Sequence, residues 1–334
     1  THDDVTPSAF YKFFSAKPVF DESYWKDLVK RFAKRDIKIP EKNRNQAMRP
    51  NNGKVIDNPI GSARGLYFER DGIKYFALPG VPAEMRAMME STIIPLIHDD
   101  SGVEMFVKTI RTIGMGESAI AEKIEHLIEK YSTKVKIAFL PQLSRVDIRL
   151  FSRDKKLLGQ FVNDIENILA EKIYGYSDDT IEEAVAKLLI NNKMTIATAE
   201  SCTGGLLAHR LTNVSGSSKY LLGGVVSYSN DIKIAEVGVN KETIIAHGAV
   251  SEQTAGEMAY GIQEKFQSDI GIGITGIAGP TGGTDEKPVG LVFIGLAINN
   301  KLIVKRFLFL KDRKANKLLS SQTALNMLRL QLLK

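Results

Sequence analysis

Apolar positions repeat with two different periods along the chain, and the switches between them mark three stretches. In the first, residues 1–98, helical spacing covers 23–34 and 81–97. Segments 65–69 and 73–78 read as a strand pair joined by the turn Arg70, Asp71, Gly72. Two loops interrupt this stretch: 40–53, rich in Asn, Arg and Pro, and 78–82, which reads LPGVP. The second stretch predicts a small α+β unit, with a strand at 103–113, a helix at 118–131, strands at 136–140 and 145–151 around Pro141, and a helix at 157–173. A short polar junction at 174–179 leads into the third.

There the pattern predicts helices at 180–191, 204–211, 251–266 and 313–333. Strands are expected at 195–199, 223–228, 270–277, 289–298 and 305–310. Helices alternating with buried strands define a layered α/β sheet, and such sheets bind ligands at the carboxyl ends of their strands.

Composition narrows the class. At about 150 residues per domain, 334 residues make a little more than two domains. Hydrophobic residues at 43% and charged residues at 25% allow a real core and exclude global disorder. The longest apolar runs, such as 290–298, stop far short of the roughly 20 residues of a membrane-spanning helix, so no membrane partner is expected. The net charge of +6 is local: residues 301–334 hold nine Lys or Arg against the single Asp312, and the remainder is 36 against 38. That basic segment is either a solvated helix face or an anion-binding edge. Cys202 is the one cysteine, which excludes an intramolecular disulfide and a CxxC metal site and fits a reducing cytoplasm. No secretory signal opens the chain, and the start at Thr1 in a polar stretch suggests a trimmed N-terminus.

The densest chemistry is ATAESCTGG at 197–205, a buried strand followed by a tight turn of small and hydroxyl residues. Gly204 and Gly205 allow close backbone approach as a helix begins. Ser201 is there either a helix cap or a nucleophile facing unpaired N–H groups. A serine hydroxyl needs a base, yet none of the five His lies in a hydrolase context and GxSxG is absent. VVSYSNDIK at 225–233 offers one: a strand end delivers Tyr228 and the next turn Lys233, a lysine whose pKa desolvation would lower, leaving it neutral and able to accept the serine proton. Cys202 is a rival nucleophile.

The third loop, GIAGPTGGTDEKPVG at 276–290, has four Gly and one Pro in its first eight residues, a backbone-lined concavity suited to a flat or phosphorylated ligand. The preceding GIGITG matches GxGxxG but sits inside a strand and has no acid in 287–300, which excludes the dinucleotide fingerprint. A P-loop motif is absent too. His247 reads as structural, and Met85, Met88 and Met89 as a core-facing helix side.

Taken together and in order, AESCTGG at 199–205, YSN at 228–230, HGAVSE at 247–252 and GIAGPTGG with KPVG at 276–290 resemble the C-terminal domain of the CinA family, which is similar to stand-alone nicotinamide-nucleotide amidohydrolases. The resemblance covers 176–334 and implies hydrolysis of nicotinamide mononucleotide to nicotinate mononucleotide and ammonia, without a cofactor. Carried residue by residue, it makes Ser201 the nucleophile and Tyr228 and Lys233 its activating group. Helix N-terminal N–H groups near Cys202 and Thr203, beside Gly204, would hold the oxyanion. Thr275, Gly276, Gly279 and Gly282 would line the substrate, and Arg313 would meet its phosphate. Lys317 stands where the family has a second Arg, replacing a bidentate fork by a point charge.

Upstream, THDDVT at 1–6, NRNQAMRP at 43–50, NPIGSARG at 58–65 and PGVPAEM at 79–85 resemble part of the family's molybdopterin-binding-like α/β domain, assigned to 1–98 and lacking roughly its first half. This part implies divalent-metal-dependent ADP-ribose pyrophosphatase activity in the complete protein. Asp3 and Asp4 would hold the metal, and Gly80 and Glu84 would border the pocket. GMGESAIAEKI at 114–124 and PQLSRVDIRL at 141–150 resemble the family's KH-like middle domain, assigned to 99–175. The family also implies a homodimer. A competence-related nucleic-acid adaptor ranks below both enzymes, because the basic excess lies beside the expected nucleotide pocket and not on the KH-like part.

Overall fold

The computed structural model describes residues 4–34, 36–101 and 104–334. They form two compact units, Thr1–Glu104 and Met105–Lys334. Asp3, an expected metal ligand, and Val103, an expected strand residue, lie outside the described residues.

In the first unit, α1 (Thr6–Phe13), β1 (Pro18–Phe20) and α2 (Glu22–Ala33) precede β2 (Met48–Pro50), which pairs with β1. A second antiparallel sheet joins β3 (Lys54–Ile56), β4 (Gly65–Arg70) and β5 (Ile73–Ala77). Phe14, Leu66 and Phe68 form a core against it. Asp21 caps α2 by accepting the Tyr24 N–H at 3.0 Å and pairs with Arg64 at 2.8 Å. The helix expected over 81–97 is there in two pieces, α3 (Pro82–Met88) and α4 (Ile94–Ser101), joined through a π-helical turn at Met89–Ile93. Met88 is buried within it and Met89 packs on the same core.

The second unit begins with a four-stranded sheet. Its strands are β6 (Phe106–Thr112), β7 (Val135–Pro141), β8 (Val146–Ser152) and β9 (Ile173–Tyr176), in the order β7-β8-β6-β9. Helices α5 (Glu117–Tyr131) and α6 (Lys155–Leu169) bury Ile120, Ile124, Phe161 and Ile165 against it. The polar junction expected at 174–179 is in part a strand: β9 pairs antiparallel with β6, and Tyr174 is buried. Tyrosine and glycine count as polar in a hydropathy pattern, yet the Tyr174 ring joins Ile113 in the core of the following domain.

That domain starts at α7 (Ile181–Asn191), whose first turn carries a reciprocal capping box between Thr180 and Glu183. After it come β10 (Ile196–Glu200), α8 (Leu206–Thr212), β11 (Leu221–Val226), α9 (Asn230–Val237), α10 (Lys241–His247) and α11 (Glu252–Phe266). The chain then forms β12 (Ile270–Gly276), β13 (Leu291–Ile298), β14 (Lys301–Leu308) and α12 (Arg313–Leu332). The sheet order is β11-β10-β12-β13-β14. β10, β11 and β12 run parallel, β13 runs against β12, and β14 against β13. The carboxyl ends of β10, β11, β12 and β14 therefore share one edge.

GIGITG explains the central strand. Ile270, Ile272 and Ile274 enter the core built with α7 and α12, each burial contributing roughly 1.5–3 kcal/mol. The intervening glycines face α11: a Cβ on Gly271 would lie 2.0 Å from the Ala259 carbonyl oxygen, and one on Gly273 2.5 Å from that of Ala255. The alternation thus lets a helix backbone rest on the sheet.

Candidate active site

Ser201 follows directly on β10. Its N–H donates to the Ile274 carbonyl at 2.9 Å, tying the turn to β12. Gly204 and Gly205 both adopt positive φ, 61° and 86°, so the helix expected from 204 begins only at Leu206. The first turn of α8 is not open to a ligand, because the buried Glu200 carboxylate accepts the Leu207 N–H at 2.9 Å and the Ala208 N–H at 2.8 Å. The oxyanion site expected at the helix N-terminus is thereby occupied by Glu200. Donors remain in the turn itself, since the N–H groups of Cys202, Thr203 and Gly205 meet no carbonyl among the described residues.

Lys233 reaches this serine from a helix and not from a turn. Ser229 caps α9 by accepting the Ile232 N–H, and the next residue inward is Lys233, 1% exposed. Its Nζ lies 3.1 Å from Ser201 Oγ, 2.8 Å from the Ser227 carbonyl and 3.3 Å from the Tyr228 carbonyl. No carboxylate pairs with it among the described residues. Burial pushes the Lys233 ammonium below the ordinary lysine range, and the neighbouring Cys202 offsets this in part.

Tyr228 does not complete this pair in the way expected. It is 60% exposed, and its hydroxyl accepts from Arg313 at 2.9 Å; only its backbone carbonyl meets Lys233. Arg313 also donates to the Gly279 carbonyl at 2.8 Å and so bridges the end of β11 to the glycine-rich loop. Cys202 is buried, which together with nearby Glu200 pushes its thiol up to about 12, whereas a reactive cysteine has a lowered value. Thr203 Oγ1 is buried without a partner among the described residues. Lys317 Nζ lies 3.4 Å from where a Gly204 Cβ would stand, beside the Ser201 turn, and makes no ion pair with a described carboxylate.

The glycine-rich loop lies at the same edge. Thr275 is buried and donates its hydroxyl to the Ala249 carbonyl at 2.6 Å, so it braces the loop base. Gly276 is half-buried at the end of β12; Gly279 and Gly282 hold positive φ, 86° and 87°. The loop is fixed by a residue that sequence reasoning passed over: Asn316, fully buried in α12, donates to the Ala278 carbonyl at 3.0 Å and to the Lys311 carbonyl at 2.8 Å, and accepts the Lys311 N–H at 3.1 Å. Lys287 fastens the far side by donating to the His247 carbonyl at 2.6 Å. Glu200 was missed because one acid beside a serine carries no spacing signal.

Of the two expected metal ligands, Asp4 uses a carboxylate oxygen to accept the Thr6 N–H at 3.0 Å, and Asp3 lies outside the described residues. Glu84 does line a cleft of about 780 Å³ with Tyr24, Asp57 and Asn58, bonding Asn58 at 2.7 Å; Gly80 is not part of its wall.

These observations define a layered α/β protein in which four strand ends bring together a serine, a buried lysine with no counterion among the described residues, and two further cations. Residues 178–332 match the CinA C-terminal domain, residues 107–175 the KH domain of damage-inducible protein CinA, and residues 1–99 a family described as a "probable molybdopterin binding domain". A CinA-like protein of Kosmotoga olearia is 41% identical over 339 residues, spanning 100% of this chain and 82% of that protein. One from Chloroherpeton thalassium is 40% identical over 345 residues, covering 98% of this chain and 82% of that one. The chain belongs to the CinA family. The solved competence/damage inducible protein CihA from Agrobacterium tumefaciens is 38% identical, covering 47% of this chain and 98% of that structure, with a TM-score of 0.44. No helix among the described residues is long and apolar enough to cross a membrane.

Proposed function

We propose that the C-terminal domain hydrolyses the carboxamide of nicotinamide mononucleotide to nicotinate mononucleotide and ammonia. The observation that carries this reading is Lys233, buried without a carboxylate and 3.1 Å from Ser201 Oγ. A neutral lysine amine has two N–H donors and one lone pair. The carbonyls of Ser227 and Tyr228 take the donors, so the lone pair is left for the Ser201 hydroxyl, and Lys233 acts as general base without a histidine.

Ser201 Oγ attacks the amide carbon while its proton passes to Lys233. The tetrahedral oxyanion is held by N–H groups of the 201–205 turn, Cys202 and Thr203 foremost, in place of the helix end that Glu200 fills. Lys233 returns the proton to the departing nitrogen, the C–N bond breaks, and ammonia leaves an ester on Ser201. Water then attacks the ester, Lys233 takes its proton, and the serine oxygen recovers one as the carboxylate departs. Arg313 uses two of its five N–H donors on Gly279 and Tyr228, so it keeps others for the phosphate, with Lys317 as a second cation. The Tyr228 ring forms an outer wall, and its phenol is no part of the proton path.

The test is ammonia release from nicotinamide mononucleotide, its riboside and free nicotinamide. The mononucleotide should turn over fastest, since only it engages Arg313 and Lys317, and equal rates on all three would remove the phosphate assignment. Metal-dependent ADP-ribose pyrophosphatase activity is the second reading, resting on the 780 Å³ cleft. It predicts chelator-sensitive release of AMP.

A further inference from the structure

Ser227 is fully buried, and its carbonyl accepts from Lys233 Nζ at 2.8 Å, yet its own Oγ is buried with no hydrogen-bond partner among the described residues. Burying a hydroxyl unpaired is costly, so a group kept in that state beside a reactive pair points to a partner that forms only during the reaction. The sheet register places it there. Ala199 lies opposite Val225 and Glu200 opposite Val226 where β10 and β11 run parallel, and Ser201 and Ser227 are the next position of each. Val225 packs with Ala197 and Ala199 on one face of the sheet, whereas a Cβ on Gly224 would meet Thr198 and Ala208 on the other. Alternation carries Ser201 and Ser227 onto the Ala199 face. Helix α9 brings Lys233 to that same face, with Nζ 3.1 Å from Ser201 Oγ.

We propose that Ser227 is a positioning residue for Lys233, its hydroxyl accepting the third N–H that the amine acquires together with the Ser201 proton. The proposal rests on the reading of Lys233 as general base. A neutral amine has two N–H groups, which the carbonyls of Ser227 and Tyr228 take, and its lone pair faces the Ser201 hydroxyl. No donor is then left for Ser227 Oγ. As the Ser201 O–H bond breaks and a new N–H forms, Lys233 becomes an ammonium with three donors. The Ser201 oxygen meanwhile bonds to the substrate carbon and becomes a weaker acceptor. Rotation about the Ser227 Cα–Cβ bond brings its oxygen to the third N–H until that proton passes to the departing nitrogen. The charged and titratable groups nearby are untouched by a change at Ser227. They are Cys202 with Glu200 and Lys317 around the serine turn, Tyr228 bonded to Arg313, and on α11 Glu257, held by Asn240 and Thr243, and Lys265, paired with Glu236.

Ser227→Ala tests this on the full chain labelled with carbon-13 at lysine Cε, the Lys233 resonance being assigned by its loss in Lys233→Met. That resonance should titrate about one to two pH units lower than in the parent chain, because the ammonium loses a charge-assisted hydrogen bond. The acidic limb of kcat/KM for nicotinamide mononucleotide should move down with it, and the plateau should fall about tenfold. The urea midpoint, measured where Lys233 is neutral, should stay the same or rise, since the resting hydroxyl has no partner to lose. A serine that only packs would move neither the resonance nor the limb, and that result, or a lowered urea midpoint, would overturn the proposal. The two readings fail separately. If the parent chain releases no ammonia from the mononucleotide while the resonance still shifts, the deamidase reading falls and the Ser227 contact stands; if ammonia is released and the resonance stays in place, the reverse holds.

Discussion

Asn316→Ala tests how the glycine-rich loop is held. The side chain is fully buried and makes three hydrogen bonds, two to the carbonyls of Ala278 and Lys311 and one from the Lys311 N–H. A hydrogen bond contributes about 1 kcal/mol net, and more when its loss strands buried partners, so three give roughly 3–4 kcal/mol. Alanine's better helix propensity returns at most about 0.7 kcal/mol, leaving a loss near 3 kcal/mol. Urea unfolding followed by far-UV circular dichroism is the assay, because the single tryptophan, Trp25, lies in the first unit and does not report on this one. With a slope of about 2 kcal/mol/M, the transition of the second unit should move down by about 1.5 M. The Michaelis constant for the mononucleotide should rise as well, since Gly279, next to Ala278, accepts from Arg313. A loss below about 1 kcal/mol, or the full loss with an unchanged Michaelis constant, would refute the anchoring argument.

Other substitutions separate the roles within the site. Tyr228→Phe should keep turnover within about threefold and leave the pH profile in place, because the phenol bonds Arg313 and not Lys233; a loss of 100-fold or more, the scale of a missing acid–base group, would put the phenol back in the proton path. Cys202→Ala should remain active, since burial keeps the thiol protonated at neutral pH, and an inactive, folded variant would reopen the choice of nucleophile. Lys233 must be neutral to act. As burial lowers its pKa, kcat/KM should fall as pH drops through a value below the ordinary lysine range, and Lys233→Arg, which has no accessible base form, should lose about 10²–10⁴-fold. The same shift has a stability sign. Between the folded and unfolded values the unfolded chain binds more protons, so stability rises with pH across that window, and Lys233→Met should flatten the rise in urea titrations run at several pH values.

Much of the C-terminal domain could be read from the residues because its signals are local. Isoleucine alternating with glycine marks β12, and glycines after a hydroxyl turn mark the end of β10. Ser201 and Lys233, 32 positions apart, were paired through loops expected at strand ends, and parallel β10 and β11 bring those ends together. What escaped depends on tertiary partners. Helices α9 and α10 are short and barely buried, with only Lys233 and Val237 inward, so no apolar stripe announces them. Tyr174 belongs to a core assembled by residues on both sides of it in the chain. The phenol of Tyr228 was assigned to Lys233 by nearness in sequence, whereas Arg313, 85 positions away, takes it. Glu200 capping α8 from the preceding strand follows from two positive-φ glycines that turn the chain back, a geometry that periodicity does not encode.

The central claim is a covalent bond between Ser201 and the nicotinoyl carbon, formed with Lys233 as the base. Acid-quenching the enzyme during turnover of nicotinamide mononucleotide and mapping peptides by mass tests it directly. The account predicts an adduct of the mononucleotide less ammonia on the peptide that carries Ser201, absent from Ser201→Ala and strongly reduced in Lys233→Met. Ammonia release that persists in Ser201→Ala, or an adduct that moves to Cys202, would contradict it.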